Sequence, residues 1–165
     1  MPCAACPARS GLLRRERARM SEQKRRGAAL LECCQEIPCN PCATVCKTGA
    51  ITKASLNARP EFHPDKCVGC KLCVAACPGQ AIFLETPDYE PGKWALTFPY
   101  EYRPLPEEGQ TVTAVDRLGQ PVCQAVVAAV EDRPVYNKTV LVTLVFPAEH
   151  REQVRFMKRL EQEGR

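Results

Sequence analysis

The chain has 165 residues, 12 of them cysteine, and 45% of its residues are hydrophobic. This composition excludes global disorder, and the length excludes a large barrel or a large doubly wound sheet. The net charge is +4, and the longest apolar runs, at 122–130 and 140–146, are far shorter than the ~20 residues of a membrane-spanning helix.

The N-terminal arm, residues 1–30, carries most of the positive charge. It contains eight Lys or Arg and two Glu, a charge of +6, which leaves −2 for residues 31–165. An arm of this kind is more typical of a solvated tail than of a nucleic-acid-binding segment. The arm lacks the apolar core of a secretory signal, so we expect a cytoplasmic protein without disulfides. Its lone C-x2-C pair, Cys3 and Cys6, is a weak metal-binding signal.

The first dense cysteine run follows the arm. It comprises the adjacent Cys33 and Cys34 and then Cys39, Cys42 and Cys46. Counted from Cys34, its spacing is C-x4-C-x2-C-x3-C. Cysteines at such spacing in a reducing compartment indicate metal binding or redox chemistry.

The second run has the spacing C-x2-C-x2-C-x3-C-P, and its residues are Cys67, Cys70, Cys73, Cys77 and Pro78. Three thiolates this close together can wrap one compact iron–sulfur cluster, while the last thiolate points towards a second cluster. Gly69 suits a loop that curls its backbone around such a group.

The two runs form an internal repeat with an offset of 31 residues, which aligns Cys39, Cys42 and Cys46 with Cys70, Cys73 and Cys77. The position that corresponds to Cys67 is Glu36, so the first thiol of the earlier run is displaced. Cys34 is favoured as that first thiol because it is the smaller displacement, and Cys33 is the alternative.

On these motifs, residues 34–84 resemble a bacterial-type two-[4Fe–4S] ferredoxin. The resemblance implies an α+β domain with pseudo-two-fold symmetry, two short helices after the cysteine runs and two small β-hairpins with strands at 50–52 and 81–84. It implies two [4Fe–4S] clusters, the first held by Cys34, Cys39, Cys42 and Cys77, the second by Cys67, Cys70, Cys73 and Cys46. It also implies an apolar lining by Val45, Ile51, Val68, Leu72, Val74 and Ile82. Two zinc ions bound by four thiolates each are the alternative, disfavoured because each run packs its thiols into one short stretch.

The sequence contains no pattern of its own for catalysis. It has no phosphate loop, dinucleotide fingerprint or nucleophile–base arrangement, so we expect neither a catalytic site nor a small-molecule substrate. His63 and His150 are isolated, and surface or capping roles are expected for them. Cys123 lies in an apolar run and is interpreted as a packing residue.

Pro87, Pro91 and Gly92 predict a linker after the ferredoxin-like segment. The predicted domains are therefore the basic arm at 1–30, the two-cluster domain at 31–92 and a small antiparallel β domain at 93–165. Strands are predicted near 94–102, 111–117, 122–131 and 139–146, in a barrel or a sandwich. The last of these is almost entirely apolar, so both of its faces should be covered. Residues 148–161 are predicted to form a terminal helix with Val154, Met157 and Leu160 on one face.

Two further segments resemble those of the ferredoxin-like small subunits of multisubunit flavin-dependent dehydrogenases that act on amino acids such as proline. They are residues 36–42, with the sequence EIPCNPC, and the Tyr- and Pro-rich residues 99–106. This resemblance implies a subunit that relays electrons between a flavoprotein dehydrogenase and an acceptor. The alternatives are a freestanding ferredoxin, and a zinc- or cluster-containing regulatory protein with a nucleic-acid-binding arm.

Overall fold

The computed structural model describes residues 27–161. Within this range it has two short α-helices, α1 (Pro41–Val45) and α2 (Leu72–Ala76), and three 3-10 helices at Pro64–Lys66, Pro134–Tyr136 and Ala148–His150. The predictions made for residues 1–26, including those for Cys3 and Cys6, lie outside the described residues.

The described strands are β1 (Ala28–Leu31), β2 (Ile51–Thr52), β3 (Glu61–Phe62), β4 (Ile82–Glu90), β5 (Lys93–Pro99), β6 (Thr111–Val115), β7 (Pro121–Glu131), β8 (Leu141–Pro147) and β9 (Phe156–Met157). Seven of them form one antiparallel sheet in the order β1-β4-β5-β8-β7-β6-β9. The other two, β2 and β3, form a small antiparallel pair beside α1. The protein is therefore a mixed fold dominated by an antiparallel sheet, and the pseudo-two-fold symmetry stays a prediction.

Each of the four strands predicted in the C-terminal half coincides with a strand of the large sheet. β5, β6, β7 and β8 begin within two residues of the predicted starts at 94, 111, 122 and 139. β8 is buried along six of its seven residues, in line with its continuous apolar sequence.

The linker predicted at Pro87, Pro91 and Gly92 is wrong, because these residues lie in the hairpin that joins β4 to β5. Pro87 occupies the part of β4 where the register shifts between Thr86 and Glu90, so its missing N–H interrupts no regular ladder. Pro91 and Gly92 form the turn, and Gly92 has a φ of 74° that glycine adopts without strain. The large sheet consequently contains strands from both sides of residue 92.

The predicted terminal helix at 148–161 is also wrong. Only Ala148–His150 is helical, as one 3-10 turn, and the chain then forms β9 against the free edge of β6. The N–H of Arg155 donates to the carbonyl of Val115 at 2.9 Å, and the N–H of Lys158 donates to that of Thr113 at 2.8 Å. Val154 and Met157 are buried as predicted, but the residues next to them bond to the edge of β6 and do not continue a helix, while the N–H of Val154 donates to the carbonyl of His150 at 3.0 Å.

Two apolar cores meet at β4. The first lies inside the curled sheet and includes Phe83, whereas the second surrounds the cysteines and includes Ile82 and Leu84. This division follows from the alternation of side chains along a strand. Neighbouring residues of β8 divide in the same way, with Leu141 in the cysteine core and Val142 in the sheet core.

An ion-pair cluster joins the two ends of the sheet. Glu32, which follows β1, accepts from Arg155 Nε at 2.6 Å and from Arg117 Nε at 2.6 Å. Arg155 precedes β9 and its side chain is only 6% exposed. The carboxylate therefore links β1, at one edge of the sheet, to the residues around β6 and β9 at the other edge.

Candidate metal centre

Three thiols of the second run, those of Cys67, Cys70 and Cys73, lie in the loop before α2 and at the start of that helix. Gly69 has a φ of 67° and Lys71 a φ of 65°, and these left-handed residues turn the chain tightly on both sides of Cys70. Cys67 and Cys73 are buried, whereas Cys70 is exposed. One sulfur therefore lies at the surface and two lie in the apolar interior.

Cys46, from the first run, completes this second thiol group. Burial, together with like charges on Cys67, Cys70 and Cys46, raises the pKa of Cys73 to about 12. The same four residues were predicted from the sequence as one ligand set. They are called the second thiol group below.

The first thiol group forms around α1. Burial raises the pKa of Cys42, and the nearby thiols of Cys77, Cys39 and Cys33 add to that rise against one hydrogen bond from the N–H of Ala43. The same four cysteines line a small cavity, together with Gln35, Ile37, Pro41, Lys53, Pro60, Pro78 and Ile82. The structure thus gathers Cys33, Cys39, Cys42 and Cys77, which we call the first thiol group.

Cys33 lines the cavity of this group, and the pattern of β1 continues beyond the strand towards it. Ala29 and Leu31 point into the cysteine core, and the N–H of Glu32 extends the ladder by donating to the carbonyl of Ala81 at 2.8 Å. Side chains alternate in an extended segment, so the face of Ala29 and Leu31 continues to Cys33. The alternation of Ala29, Leu31 and Cys33 along the sequence is a signal for this placement that the spacing between the cysteines does not contain.

Hydrogen bonds reach a sulfur atom in each of the two groups. Burial of Cys46 is outweighed by bonds from the Thr48 hydroxyl and from the N–H groups of Ile51, Ala50 and Thr48, so its pKa is lowered. In the first group, the N–H of Ala81 donates to the sulfur of Cys77 at 3.4 Å. Such N–H to sulfur bonds are among the features that set the potential of an iron–sulfur cluster.

The chemistry of the donor set fits two [4Fe–4S] clusters. Each group offers four sulfur ligands in apolar surroundings, and bound iron would compensate the repulsion that raises the pKa values of Cys42 and Cys73. No set of three or more Cys, His, Asp or Glu side chains in residues 27–161 converges on a single-ion position. A cubane does not require that convergence, because each thiolate binds a different iron atom.

Most of the predicted apolar lining lies where the sequence placed it. Ile51, Val74 and Ile82 are at most 2% exposed, and Val45 and Leu72 pack against the same core. Val68 is the exception, because it is 47% exposed beside the exposed Cys70. One side of the second thiol group is therefore open to solvent.

Several residues near the thiols were not singled out from the sequence. Lys53 lines the cavity of the first group, and Lys71 forms an ion pair with Glu131 beside the second group. Lysines and glutamates are common on protein surfaces, so their pattern along the chain carries no signal of these positions. His63, directly after β3, bonds Thr52 of β2 at 3.1 Å, and its side chain does not cap the 3-10 helix that follows.

Compared with known proteins, the chain matches the model of the 4Fe-4S binding domain family at residues 60–83. It is 41% identical to protein NrfC of Escherichia coli over 51 residues, 31% of this chain and 23% of that protein. It is 39% identical over 51 residues to the thiosulfate reductase electron transfer subunit PhsB of Salmonella typhi, 31% of this chain and 26% of PhsB.

A further relative is a sulfite dehydrogenase subunit of Allochromatium vinosum, with 49% identity over 52 residues, 32% of this chain and 20% of that protein. The chain therefore matches only 20% to 26% of the length of these three relatives. No solved structure matches the chain significantly. None of the helices in the described part of the chain has the length and apolar content needed to cross a bilayer.

Proposed function

We propose that this chain is an electron-transfer subunit that holds two [4Fe–4S] clusters and works with a partner oxidoreductase. The observation that carries the proposal is the arrangement of the thiols in two groups of four, each completed by a cysteine from the other run. Exchange of the last cysteine between runs is the ligand pattern of two-cluster ferredoxins. When bound, the clusters would supply reversible one-electron oxidation and reduction.

For the first cluster we propose Cys33, Cys39, Cys42 and Cys77 as ligands, with Cys33 in place of the Cys34 that the spacing favoured. For the second we propose Cys46, Cys67, Cys70 and Cys73. The support for Cys33 is its place in the wall of the small cavity and its electrostatic effect on Cys42.

We propose that the partner is a flavoprotein dehydrogenase. Two one-electron centres suit a partner that releases electrons in pairs, as a reduced flavin does. The exposed Cys70 and Val68 give such a partner a short path to the second thiol group. The printed names of PhsB and the sulfite dehydrogenase relative describe components of oxidoreductases, which supports a role for this chain in a similar assembly. We also propose that this chain functions in the cytoplasm.

The cofactor is tested by anaerobic purification of the full chain followed by iron, zinc and acid-labile sulfide analysis. We expect about eight iron and about eight sulfide per chain, with visible absorption that dithionite bleaches. About four iron and about four sulfide per chain would indicate one cluster and not two. Stoichiometric zinc without sulfide would refute the proposal.

The first-cluster ligand is tested by the matched variants Cys33→Ser and Cys34→Ser. We expect Cys33→Ser to lose up to about half of the iron and Cys34→Ser to keep the wild-type content. The reverse result would restore Cys34 as the ligand.

The partner is tested by affinity purification from the native source under anaerobic conditions. A stoichiometric complex that contains flavin, and whose substrate reduces the iron–sulfur absorption, is the expected result. A protein that elutes alone and is reduced by several unrelated enzymes would instead indicate a freestanding ferredoxin.

A further inference from the structure

We propose that Lys53 is a cation that makes the reduction potential of the first thiol group's cluster more positive, and that Glu131 cancels the corresponding effect of Lys71 at the second group. This inference rests on the proposed function, since it concerns potentials of bound clusters. One lysine lies beside each thiol group, and the two differ in whether a carboxylate neutralises their charge.

Lys53 is fixed in the wall of the cavity that the first thiol group lines. It lines the same cavity as Cys33, Cys39, Cys42 and Cys77, and its side chain is half-buried. Its ammonium group donates to the carbonyl of Cys39, and to the carbonyl of Leu56 at 2.8 Å. Both acceptors are neutral backbone groups, so the positive charge is held in place but is not neutralised by them.

No carboxylate within residues 27–161 forms an ion pair with Lys53. Reduction adds one negative charge to a cluster. A cation beside the sulfurs stabilises that added charge, most strongly where water is partly excluded. Removing the charge of Lys53 should therefore make the first cluster harder to reduce.

The second group has a lysine of its own, and that lysine is paired. Lys71, between Cys70 and Cys73, lies 2.8 Å from Glu131 Oε1, and the two side chains are 20% and 16% exposed. The other carboxylate oxygen of Glu131 accepts from the hydroxyl of the buried Tyr136 at 3.1 Å. Opposite charges this close act on a cluster nearly as a neutral dipole, so the cation of Lys71 has little net effect.

Arg133 also approaches Glu131, at 3.6 Å, but its side chain is 62% exposed, so water screens its charge. Glu131 lies at the end of β7, 60 residues after Lys71. The large sheet therefore supplies the anion that neutralises the cation in the second cysteine loop.

The experiment is a potentiometric titration of both clusters, followed by EPR, in wild type and in Lys53→Met, Lys53→Arg and Glu131→Gln. Cys33→Ser, if it retains one cluster, assigns the remaining potential to the second group. Lys66→Met is the matched control, because Lys66 precedes Cys67 directly but is exposed. Iron content and circular dichroism are recorded for every variant.

We expect Lys53→Met to lower the first potential only, Lys53→Arg to restore it, and Glu131→Gln to raise the second potential only. Lys66→Met should shift either potential less than Lys53→Met does. Unchanged potentials in Lys53→Met and Glu131→Gln, at full iron content, would overturn the inference while leaving the proposed function intact. Absence of iron and sulfide from the wild-type protein would instead refute the proposed function. If Lys53→Met fails to retain iron, Lys53→Gln replaces it, since its amide can still donate to one of the two carbonyls.

Discussion

Replacing Glu32 by Gln removes the negative charge that joins the two ends of the large sheet. Arg155 then keeps its hydrogen bonds to the carbonyls of Arg151 at 2.9 Å and Val154 at 2.6 Å, but its buried charge loses its counter-ion. Breaking a buried ion pair from one side costs roughly 3–5 kcal/mol. The Glu32 side chain is 18% exposed, so water offsets part of this loss and we expect about 3 kcal/mol.

Arg117 contributes less to this cluster, because its side chain is 54% exposed and an exposed pair is worth at most about 1 kcal/mol. A protein of this size loses roughly 2–4 °C in Tm per kcal/mol. The expected drop for Glu32→Gln is therefore about 6–12 °C, against no more than about 4 °C for the control Arg117→Gln.

The assay is thermal unfolding of iron-loaded protein followed by near-UV circular dichroism, with every variant matched in iron content and heated at one rate. A double variant, Glu32→Leu with Arg155→Met, removes both charges and should recover most of the lost stability. The reasoning is refuted if Glu32→Gln melts no lower than Arg117→Gln, since the buried pair would then contribute nothing beyond its exposed part.

Three other outcomes follow from named contacts. Burial raises the pKa of Glu32, but the two arginines outweigh burial, so this pKa is lowered. A carboxyl group with a lowered pKa stabilises the folded state above the unfolded pKa of about 4.3. The Tm difference between wild type and Glu32→Gln should therefore be constant near neutral pH and become smaller as the pH falls below that value. Thr97→Val should cost about 1–3 kcal/mol by orphaning the buried hydroxyl of Thr143, 2.8 Å away, and the double valine variant should recover most of that in urea unfolding. Gly27→Ala should lower the Tm more than Gly92→Ala. Both glycines have a positive φ, but only at Gly27 would a Cβ lie 2.9 Å from a backbone carbonyl oxygen of β4. Equal effects of the two substitutions on the Tm would contradict the packing of β1 against β4.

Agreement between sequence and structure is greatest where the signal is local. The spacing of the cysteines identified the segments that carry the thiols, and the resemblance implied two short helices after the runs, whereas α1 and α2 lie within them. The signal for the C-terminal strands is equally local, since runs of β-branched residues between turn residues are typical of strands.

The failures share a cause in tertiary contact. Residues 154–160 have helical spacing, yet the open edge of β6 offered backbone partners that a single helical turn could not match. Pro87, Pro91 and Gly92 look like a linker, yet the bulge in β4 and the hairpin turn accommodate both prolines.

The choice between Cys33 and Cys34 depended on a strand that the sequence analysis did not predict. Once β1 pairs with β4, alternation along the chain favours Cys33 on the side of the first group, and Cys33 lines its cavity. Counting residues between cysteines could not decide this, because the intervening segment at 35–38 has no regular secondary structure that would fix either spacing.

The amino-acid sequence by itself determined the type of cofactor chemistry, since ligand type and spacing within a short run are covalent properties of the chain. It also determined most of the strands. The tertiary structure alone decided that Cys33 lines the cavity of the first group, that Lys71 pairs with Glu131, and that Glu32 pairs with Arg155 across 123 residues. Such contacts join residues far apart in the chain, and their partners are selected by the packing of the whole sheet and not by any local pattern.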